Sequence, residues 1–444
     1  MPALKEYYEN YRQDGLEIIA TSQVGGVDEY GVGHMISDRD AYMAEVVSKG
    51  YDQWYNFYWP DYGNSYLTTT PNAEVYDQNG NILFSSFENY PDPVRNRYGK
   101  VASTQLIPFL ETLFGPASPA DPYTSSDYSK DGQVLTLQKA SVGKGINIVF
   151  MGDAYTDKDM GSGGVYETVM KQAMEEFFAV EPYKTYRNRF NVYAVKVVSK
   201  NGRIGSGYTT ALGTRFGSCT YVEGDDDKCF EYAMKVPGIN SRENLLVSVL
   251  VNSNHNAGTA FLFRNNQSAV ARVPSFGNDP DAFGSTLQHE AGGHGFAFLA
   301  DEYATNSGTP PQSFIDEYNE VYEKYGWYSN VDFTDDPSKV RWSAFLSDSR
   351  YSSLVGLYEG AALYTQGAWR PTANSIMRDN YGGFNAPSRW AIYKQIMKRS
   401  GEDYSWEKFL EYDAVNRGTG DKVPEVPLRT PARSLEPGTP PVIK

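Results

Sequence analysis

The segment STLQHEAGGHGFAFLADEY, residues 285–303, carries most of the chemically informative side chains of this 444-residue chain. Its imidazoles, carboxylates and terminal phenol are His289, His294, Glu290, Asp301, Glu302 and Tyr303. A hydrolytic zinc site needs neutral imidazoles or carboxylates as ligands, an open coordination position for water, and a further carboxylate that accepts the proton of that water. The segment can supply all of these groups, so it predicts a zinc-dependent hydrolytic site.

The spacing of the two histidines has a structural consequence. His289 and His294 are one residue further apart than the histidines of the usual His-Glu-x-x-His zinc motif. On a regular α-helix a separation of five residues directs the side chains about 140° apart, too far to share one ion. A single wider turn of π type would return them to one face, and Gly292-Gly293 offers the necessary backbone tolerance. We therefore expect a π-bulge. A helix that ends at Gly292, with His294 on a loop, would also allow chelation.

The remaining histidines and the two cysteines carry weaker signals. His34 lies in a Gly-rich loop and His255 follows a predicted strand, so neither is expected to bind the metal, although His255 could border a substrate cleft. Cys219 and Cys229 flank a short acidic turn, which favours a disulfide in an oxidising compartment, with two unpaired thiols as the alternative. The acidic run at 225–227 is expected to be a solvated turn.

Length and composition indicate more than one domain. The chain exceeds the roughly 250–300 residues at which a single core stops growing. A stretch rich in Pro, Ser and Asp predicts a linker over 116–127, between an N-terminal domain at 1–115 and an α/β domain at 128–425. In the second domain, apolar runs predict strands within 134–140, 146–156, 190–199 and 245–253, and an amphipathic pattern predicts a helix over 165–180. Residues 426–444 are expected to be a Pro-rich tail.

Charge and hydropathy exclude several classes of partner. A net charge of -15 repels phosphate backbones and anionic lipid, so binding to nucleic acid or to a membrane surface is disfavoured. No apolar run reaches the roughly 18 residues that a membrane span needs, and the first fifteen residues, MPALKEYYENYRQDG, have no export signal.

The segment HEAGGHGFAFLADEY resembles the IgA-specific metallopeptidase family, a metzincin-like group whose signature is a His-Glu pair with a second His, followed by Leu-x-Asp-Glu-Tyr. INIVFMGDAYTDKDM (146–160), LLVSVLVNS (245–253) and WRPTANSIMRD (369–379) also resemble segments of that family. The implied fold class is α/β, with a metzincin-like zinc-peptidase catalytic domain over 128–425. The implied activity is that of a zinc endopeptidase acting on protein or peptide substrates in an extracytoplasmic compartment. A non-catalytic binding or adhesion module, with a structural zinc or none, is the alternative.

The same resemblance implies roles for individual residues. His289 and His294 become ligands of one catalytic Zn²⁺, Glu290 the general base, and Met377 the residue of the Met-turn beneath the metal. Metzincins usually place the third ligand six residues beyond the second histidine. In this chain Asp301 is seven residues beyond it and is the expected ligand, with Glu302 as the alternative. Tyr303, Arg378 and Tyr381 are candidates for stabilising the oxyanion.

The N-terminal domain resembles the thioredoxin-like fold of periplasmic thiol reductases. Its predicted order of helix, strand, helix, hairpin and helix matches that fold, and Thr70-Pro71 lies where the family keeps a cis-proline. The first strand and the Cys-x-x-Cys motif of that family are missing, so no thiol-disulfide chemistry is assigned. We expect a truncated start, with a natural non-redox domain as the alternative.

Overall fold

The structure is a computed structural model. It describes residues 123–205, 207–217, 220–255, 257–275, 280–380, 382–416 and 440–444, and shorter pieces of the N-terminal region at 7–8, 10–12, 16, 19–23, 55–59, 74–76, 82–85 and 106–114.

The described pieces of the N-terminal region include two strand pairs and a helix. β1 (Ile19–Gln23) pairs in parallel with β2 (Tyr55–Trp59). β3 (Glu74–Tyr76) pairs antiparallel with β4 (Ile82–Ser85), which confirms the predicted hairpin. The hairpin packs on α1 (Ile107–Phe114), where Phe84 stacks on Phe109. Thr70-Pro71 and the second helix of the predicted order lie outside the described residues, so the thioredoxin-like fold stays a prediction.

A seven-stranded mixed sheet forms the centre of the second domain, with strand order β16-β11-β12-β10-β6-β7-β5. The four inner strands β12, β10, β6 and β7 are parallel, and β5 and β11 run antiparallel to their inner neighbours. The strands are β5 (Val134–Gln138), β6 (Ile146–Asp153), β7 (Phe190–Val195), β10 (Leu246–Val251), β11 (Thr259–Phe263), β12 (Ser268–Pro274) and β16 (Val442–Ile443). The four strands predicted from apolar runs are thereby confirmed.

Helices cover both faces of this sheet because its parallel strands are apolar on both sides. Along β6, Ile148 and Phe150 enter one core, while Val149 and Met151 enter the other. The first core contains the predicted helix, α2 (Val165–Phe177), and the second contains α3 (Asp226–Ala233).

The remaining elements lie around these two cores, and the two short strands among them pack on the second core. They are the two short strands β8 (Arg215–Phe216) and β9 (Val222–Glu223), α4 (Pro280–Leu287), β13 (Ala304–Asn306), α5 (Gln312–Tyr325), α6 (Ser343–Ser347), β14 (Tyr358–Ala361), β15 (Leu363–Arg370), α7 (Ile376–Asp379), α8 (Ala386–Ser400) and α9 (Trp406–Asn416). Among the residues that the structure describes, none of the helices combines the length and apolar character needed to cross a bilayer.

The acidic run at 225–227 is not simply a solvated turn, as the sequence suggested. Asp225 caps the N-terminus of α3 by accepting a hydrogen bond from the backbone of Lys228 at 3.0 Å. Asp226 is buried and pairs at 2.6 Å with Arg272, which points inward from β12 and has no exposed surface. A buried charge needs such a partner, and this requirement draws Asp226 into the core.

The predicted disulfide between Cys219 and Cys229 is contradicted. Cys229 is a free thiol on the inner face of α3, fully buried, with its Sγ 3.5 Å from Nη2 of Arg272. Its side chain therefore packs into the core and does not bridge the acidic turn. Cys219 itself lies outside the described residues.

Cys229 is expected to resist thiol reagents in the folded protein and to react once the chain is unfolded without a reductant. Burial raises the pKa of its thiol to about 12, so the native state holds almost no thiolate. Maleimide labelling before and after denaturation, with the modified residue located by mass spectrometry, measures this difference. If Cys229 stays unlabelled in the unreduced, unfolded protein, the result would support the predicted disulfide with Cys219 instead.

Candidate metal centre

The two histidines lie on a π-helix. α4 continues directly into a π-helical segment, Gln288–Phe296, which contains both imidazoles. At its end, the amide of Ala297 donates to the carbonyl of Gly292 at 3.3 Å, a separation of five residues. Residues five apart are stacked in such a turn, and the ring centroids of His289 and His294 are 4.6 Å apart. The predicted π-bulge is confirmed, and the alternative in which the helix ends at Gly292 is wrong.

Backbone carbonyls orient both imidazoles. Nδ1 of His289 donates to the carbonyl of Ile376 at 2.8 Å, and Nδ1 of His294 donates to the carbonyl of Leu299 at 2.7 Å. A carbonyl can only accept, so each Nδ1 carries the proton and the Nε2 of each neutral ring carries a lone pair. This arrangement of a histidine held by its other nitrogen is typical of metal ligands.

Asp301 completes a buried group of three acceptors. Its Oδ1 lies 3.1 Å from Nε2 of His289 and 3.2 Å from Nε2 of His294. One potential ligand atom from each of the three residues lies within 4.8 Å of the others, and none of the side chains is more than 3% exposed.

Three lone-pair carriers that converge in a buried space repel one another unless a positive charge lies between them. Nε2 of His294 makes no hydrogen bond even though it is fully buried. Nitrogen and carboxylate oxygen are the donor atoms that Zn²⁺ accepts in catalytic sites. The residues present therefore fit a bound zinc ion.

The loop that carries Asp301 is fixed by backbone hydrogen bonds on both sides. The carbonyl of Asp301 accepts from the amide of Ala362 at 3.0 Å, and the amide of Glu302 donates to the carbonyl of Met377 at 2.8 Å. These bonds join the loop to the turn between β14 and β15 and to the segment that begins α7. The position of Asp301 is thus defined by main-chain contacts.

Glu302 points away from the acceptor group into a polar cage. Its carboxylate accepts hydrogen bonds from Ser375 Oγ at 2.7 Å, from Asn330 Nδ2 at 3.0 Å, and from Asn385 Nδ2 at 2.9 Å to each oxygen. Burial raises the pKa of this carboxyl, although the three donors counteract the effect. No sequence pattern pointed to Asn330. Asn385 precedes an Ala-Pro-Ser helix start and caps α8, so it was recognisable as a cap but not as a partner of Glu302.

Met377 lies beneath the π-helix, as expected for the residue of a Met-turn. It is fully buried, and a Cβ placed on Gly293 would lie 2.3 Å from its Sδ. The backbone of the π-helix therefore rests directly on the methionine. Gly293 is required here by space, since its φ is not positive.

Glu290 lies beside the acceptor group, against β11. Its carboxylate accepts a backbone hydrogen bond from Ala260, and a Cβ on Gly258 would lie 2.8 Å from its Oε1. Its Oε2 is buried without a hydrogen-bond partner. Burial, with a contribution from Asp301, raises the pKa of Glu290 to about 8, while His289 acts in the opposite direction.

The other candidate residues have different environments. Tyr303 is buried and its hydroxyl hydrogen-bonds Asp301. Arg378 is partly exposed and pairs with its neighbour Asp379 at 2.9 Å. His255 does not join the acceptor group, because its Nε2 lies 3.0 Å from Nη2 of Arg12 and its ring packs on Phe216. His34 and Tyr381 lie outside the described residues.

Comparison with known families agrees with this geometry. The family model described as IgA Peptidase M64 matches residues 135–348 and 341–396. The chain belongs to the IgA peptidase M64 family. The matched segments contain the π-helix, the loop of Asp301 and the turn of Met377. By family this M64 member is a metallopeptidase, and the expectation of an IgA-specific metallopeptidase is confirmed at the level of the family. No curated protein matches the chain.

Substitution of Gly293 by Ala is expected to destabilise the fold by about 1–3 kcal/mol, because the added methyl group overlaps the buried side chain of Met377. Chemical denaturation measures the change. Replacing Met377 by Ala in the same chain should recover part of the loss, since it removes the overlap.

Gly161→Ala is the matched control, because no atom lies within 4 Å of the position of its added Cβ. A Gly293→Ala loss no larger than that of the control would mean that the π-helix does not rest on Met377.

Proposed function

We propose that this M64 member is a zinc-dependent endopeptidase in which His289, His294 and Asp301 hold one catalytic Zn²⁺ and Glu290 is the general base. The observation that carries the proposal is the convergence of three buried acceptor atoms whose lone pairs face one another. Family membership supports the peptidase activity. Protein and peptide chains are the proposed substrates, and an extracytoplasmic location follows from the resemblance alone.

The surroundings of the two carboxylates favour Asp301 over Glu302 as the third ligand. Asp301 Oδ1 lies about equally far from both Nε2 atoms. Glu302 is occupied by three side-chain donors that hold both of its oxygens. It would have to give up these buried hydrogen bonds to reach the metal, and each bond lost to a charged group costs about 1.5–3 kcal/mol.

Three protein ligands leave a coordination position for water, which is the pattern of catalytic rather than structural zinc sites. A closed shell that used both Asp301 and Glu302 would have favoured the binding-module alternative. The hydrogen bonds of Glu302 argue against such a shell. The geometry therefore favours an enzyme.

The proposed mechanism assigns a separate role in hydrolysis to the metal, to Glu290 and to Ala260. Zn²⁺ in such a site lowers the pKa of a water ligand to about 7 and polarises the substrate carbonyl. Glu290 takes the proton of the attacking water at Oε2 and delivers it to the leaving nitrogen. The amide of Ala260 orients the Glu290 carboxylate. With a cation held by His289, His294 and Asp301, the pKa of Glu290 that burial and Asp301 raise would fall, and Glu290 would then be the carboxylate that a base requires.

Glu290→Gln is expected to lower peptide hydrolysis by about 10²–10⁴ or more while zinc stays bound, because Gln keeps the size of the side chain but cannot take the proton. His289→Ala should lose both the metal and the activity. Zinc content by mass spectrometry and hydrolysis of unfolded casein measure the two effects. Near-normal proteolysis by the Gln variant would contradict the role of Glu290.

Asp301→Asn and Glu302→Gln should have different effects on zinc binding. The first removes a charged ligand and should empty the site at a chelator concentration that the parent protein withstands. The second places an amide donor against the Asn330 and Asn385 donors, and should weaken zinc affinity about 10–100-fold without removing a ligand. Chelator competition gives both affinities. The reverse order, with Glu302→Gln the more damaging, would assign the ligand to Glu302.

A further inference from the structure

β11 connects the metal centre to one edge of the central sheet. Ala260 of this strand donates to Glu290, and Gly258 lies against the same carboxylate. From there β11 runs away from Glu290 to Phe263, with β12 along one side. A strand edge at this place presents backbone donors and acceptors directly beside the proposed catalytic base.

Residues 440–444 of the same chain occupy the other side of β11. Val442 pairs with Phe261 and Ile443 with Leu262, in parallel orientation. The amide of Lys444 donates to the carbonyl of Leu262 at 2.7 Å, and the amide of Arg264 donates to the carbonyl of Lys444 at 3.1 Å. The outer edge of β11 is therefore already paired.

Side chains hold this segment in its register. Ile443 packs against the first core. Nζ of Lys444 contacts the carboxylate of Asp226 and lies 4.4 Å from the ring centroid of Phe261. The Lys444 side chain is 43% exposed, so its ion pair is screened by solvent and contributes little to stability. Its backbone hydrogen bonds and Ile443 therefore contribute more to its position than the ion pair does.

An extended peptide commonly binds by adding a strand to an exposed sheet edge. A substrate whose scissile carbonyl lies beside Glu290 would follow β11, and strands rise only about 3.3 Å per residue. Within one or two residues of Ala260 it would reach Phe261, where Val442 is already paired. The substrate and residues 440–444 therefore compete for the same backbone groups.

We propose that residues 440–444 are an intramolecular competitor that covers the substrate-binding edge of β11. The proposal rests on the proposed peptidase function and adds its regulation. A protein chain binds productively only after this segment leaves the edge.

The sequence before β16 explains why the segment covers the edge without entering the site. Its parallel register directs Pro441 and Pro440 toward the Ala260 end of β11. Proline has no N–H to donate to a ladder, so pairing does not continue toward Glu290. The segment blocks the edge and stops short of the scissile position.

A variant that ends at residue 439 tests the proposal. Its KM for unfolded casein should fall about fivefold or more relative to the full chain, with kcat within about twofold, because the fraction of molecules with an open edge rises. An unchanged or higher KM in the shortened protein would mean that the segment only protects a strand edge, and would overturn the proposal.

Point variants keep the test valid if shortening prevents folding. Lys444→Glu places a negative charge beside Asp226 and should lower KM in the same direction. Lys339→Glu is the matched control, since Lys339 is 74% exposed and pairs with Asp336 at 3.1 Å on the surface. Equal KM values for both variants would contradict the proposal.

A binding measurement separates this proposal from the proposed function. In the Glu290→Gln background, a fluorescently labelled casein peptide should bind the shortened chain about fivefold or more tightly than the full chain. This measurement needs no catalysis. Equal Kd values would therefore overturn the proposal that residues 440–444 compete with the substrate, even if hydrolysis is absent. The proposed function would instead be contradicted if the peptide binds but the zinc-loaded protein with Glu290 in place never hydrolyses it.

Discussion

The site depends on one geometric constraint, namely that two imidazoles five residues apart must face the same point. A regular α-helix cannot meet it, and the chain meets it with a π-helix between α4 and Ala297. The wider turn needs support for its backbone. The hydroxyl of Tyr183 donates to the carbonyl of Gly292 at 2.6 Å, and Met377 fills the space beneath Gly293. Such π-helical turns occur often at functional sites.

The proposed metal centre is held together by hydrogen bonds between segments that are distant in sequence. Ile376 orients His289 through its carbonyl, and the next carbonyl, of Met377, binds the amide of Glu302. Glu302 in turn joins Asn330, Ser375 and Asn385 in a buried polar network in which its oxygens are satisfied. Fully satisfied networks of this kind rigidify a core, whereas partly satisfied ones weaken it. The turn at 375–377 thereby fixes both His289 and the loop of Asp301.

Local patterns predicted the parts of the structure that depend on local physics. The spacing of His289 and His294, with two glycines between them, was enough to predict the π-turn. Apolar runs located four strands of the central sheet. Other features depend on contacts between residues that are distant in sequence, and the sequence did not predict them. Charged residues of a strand usually face solvent, yet Arg272 points inward and draws Asp226 into the core, where Cys229 also lies. Residues 440–444 read as the end of a Pro-rich tail, and only their register against β11 shows that they extend the sheet.

The most direct test of the account is the position of the metal in crystals of the zinc-loaded protein. An anomalous difference map at the zinc edge should show one strong peak about 2.0–2.1 Å from Nε2 of both His289 and His294 and about 2.0–2.2 Å from a carboxylate oxygen of Asp301. Glu302 should remain in its polar cage, and Glu290 should lie outside the coordination shell. A peak bound by Glu302 or by Glu290, or no peak between the two histidines, would contradict the account.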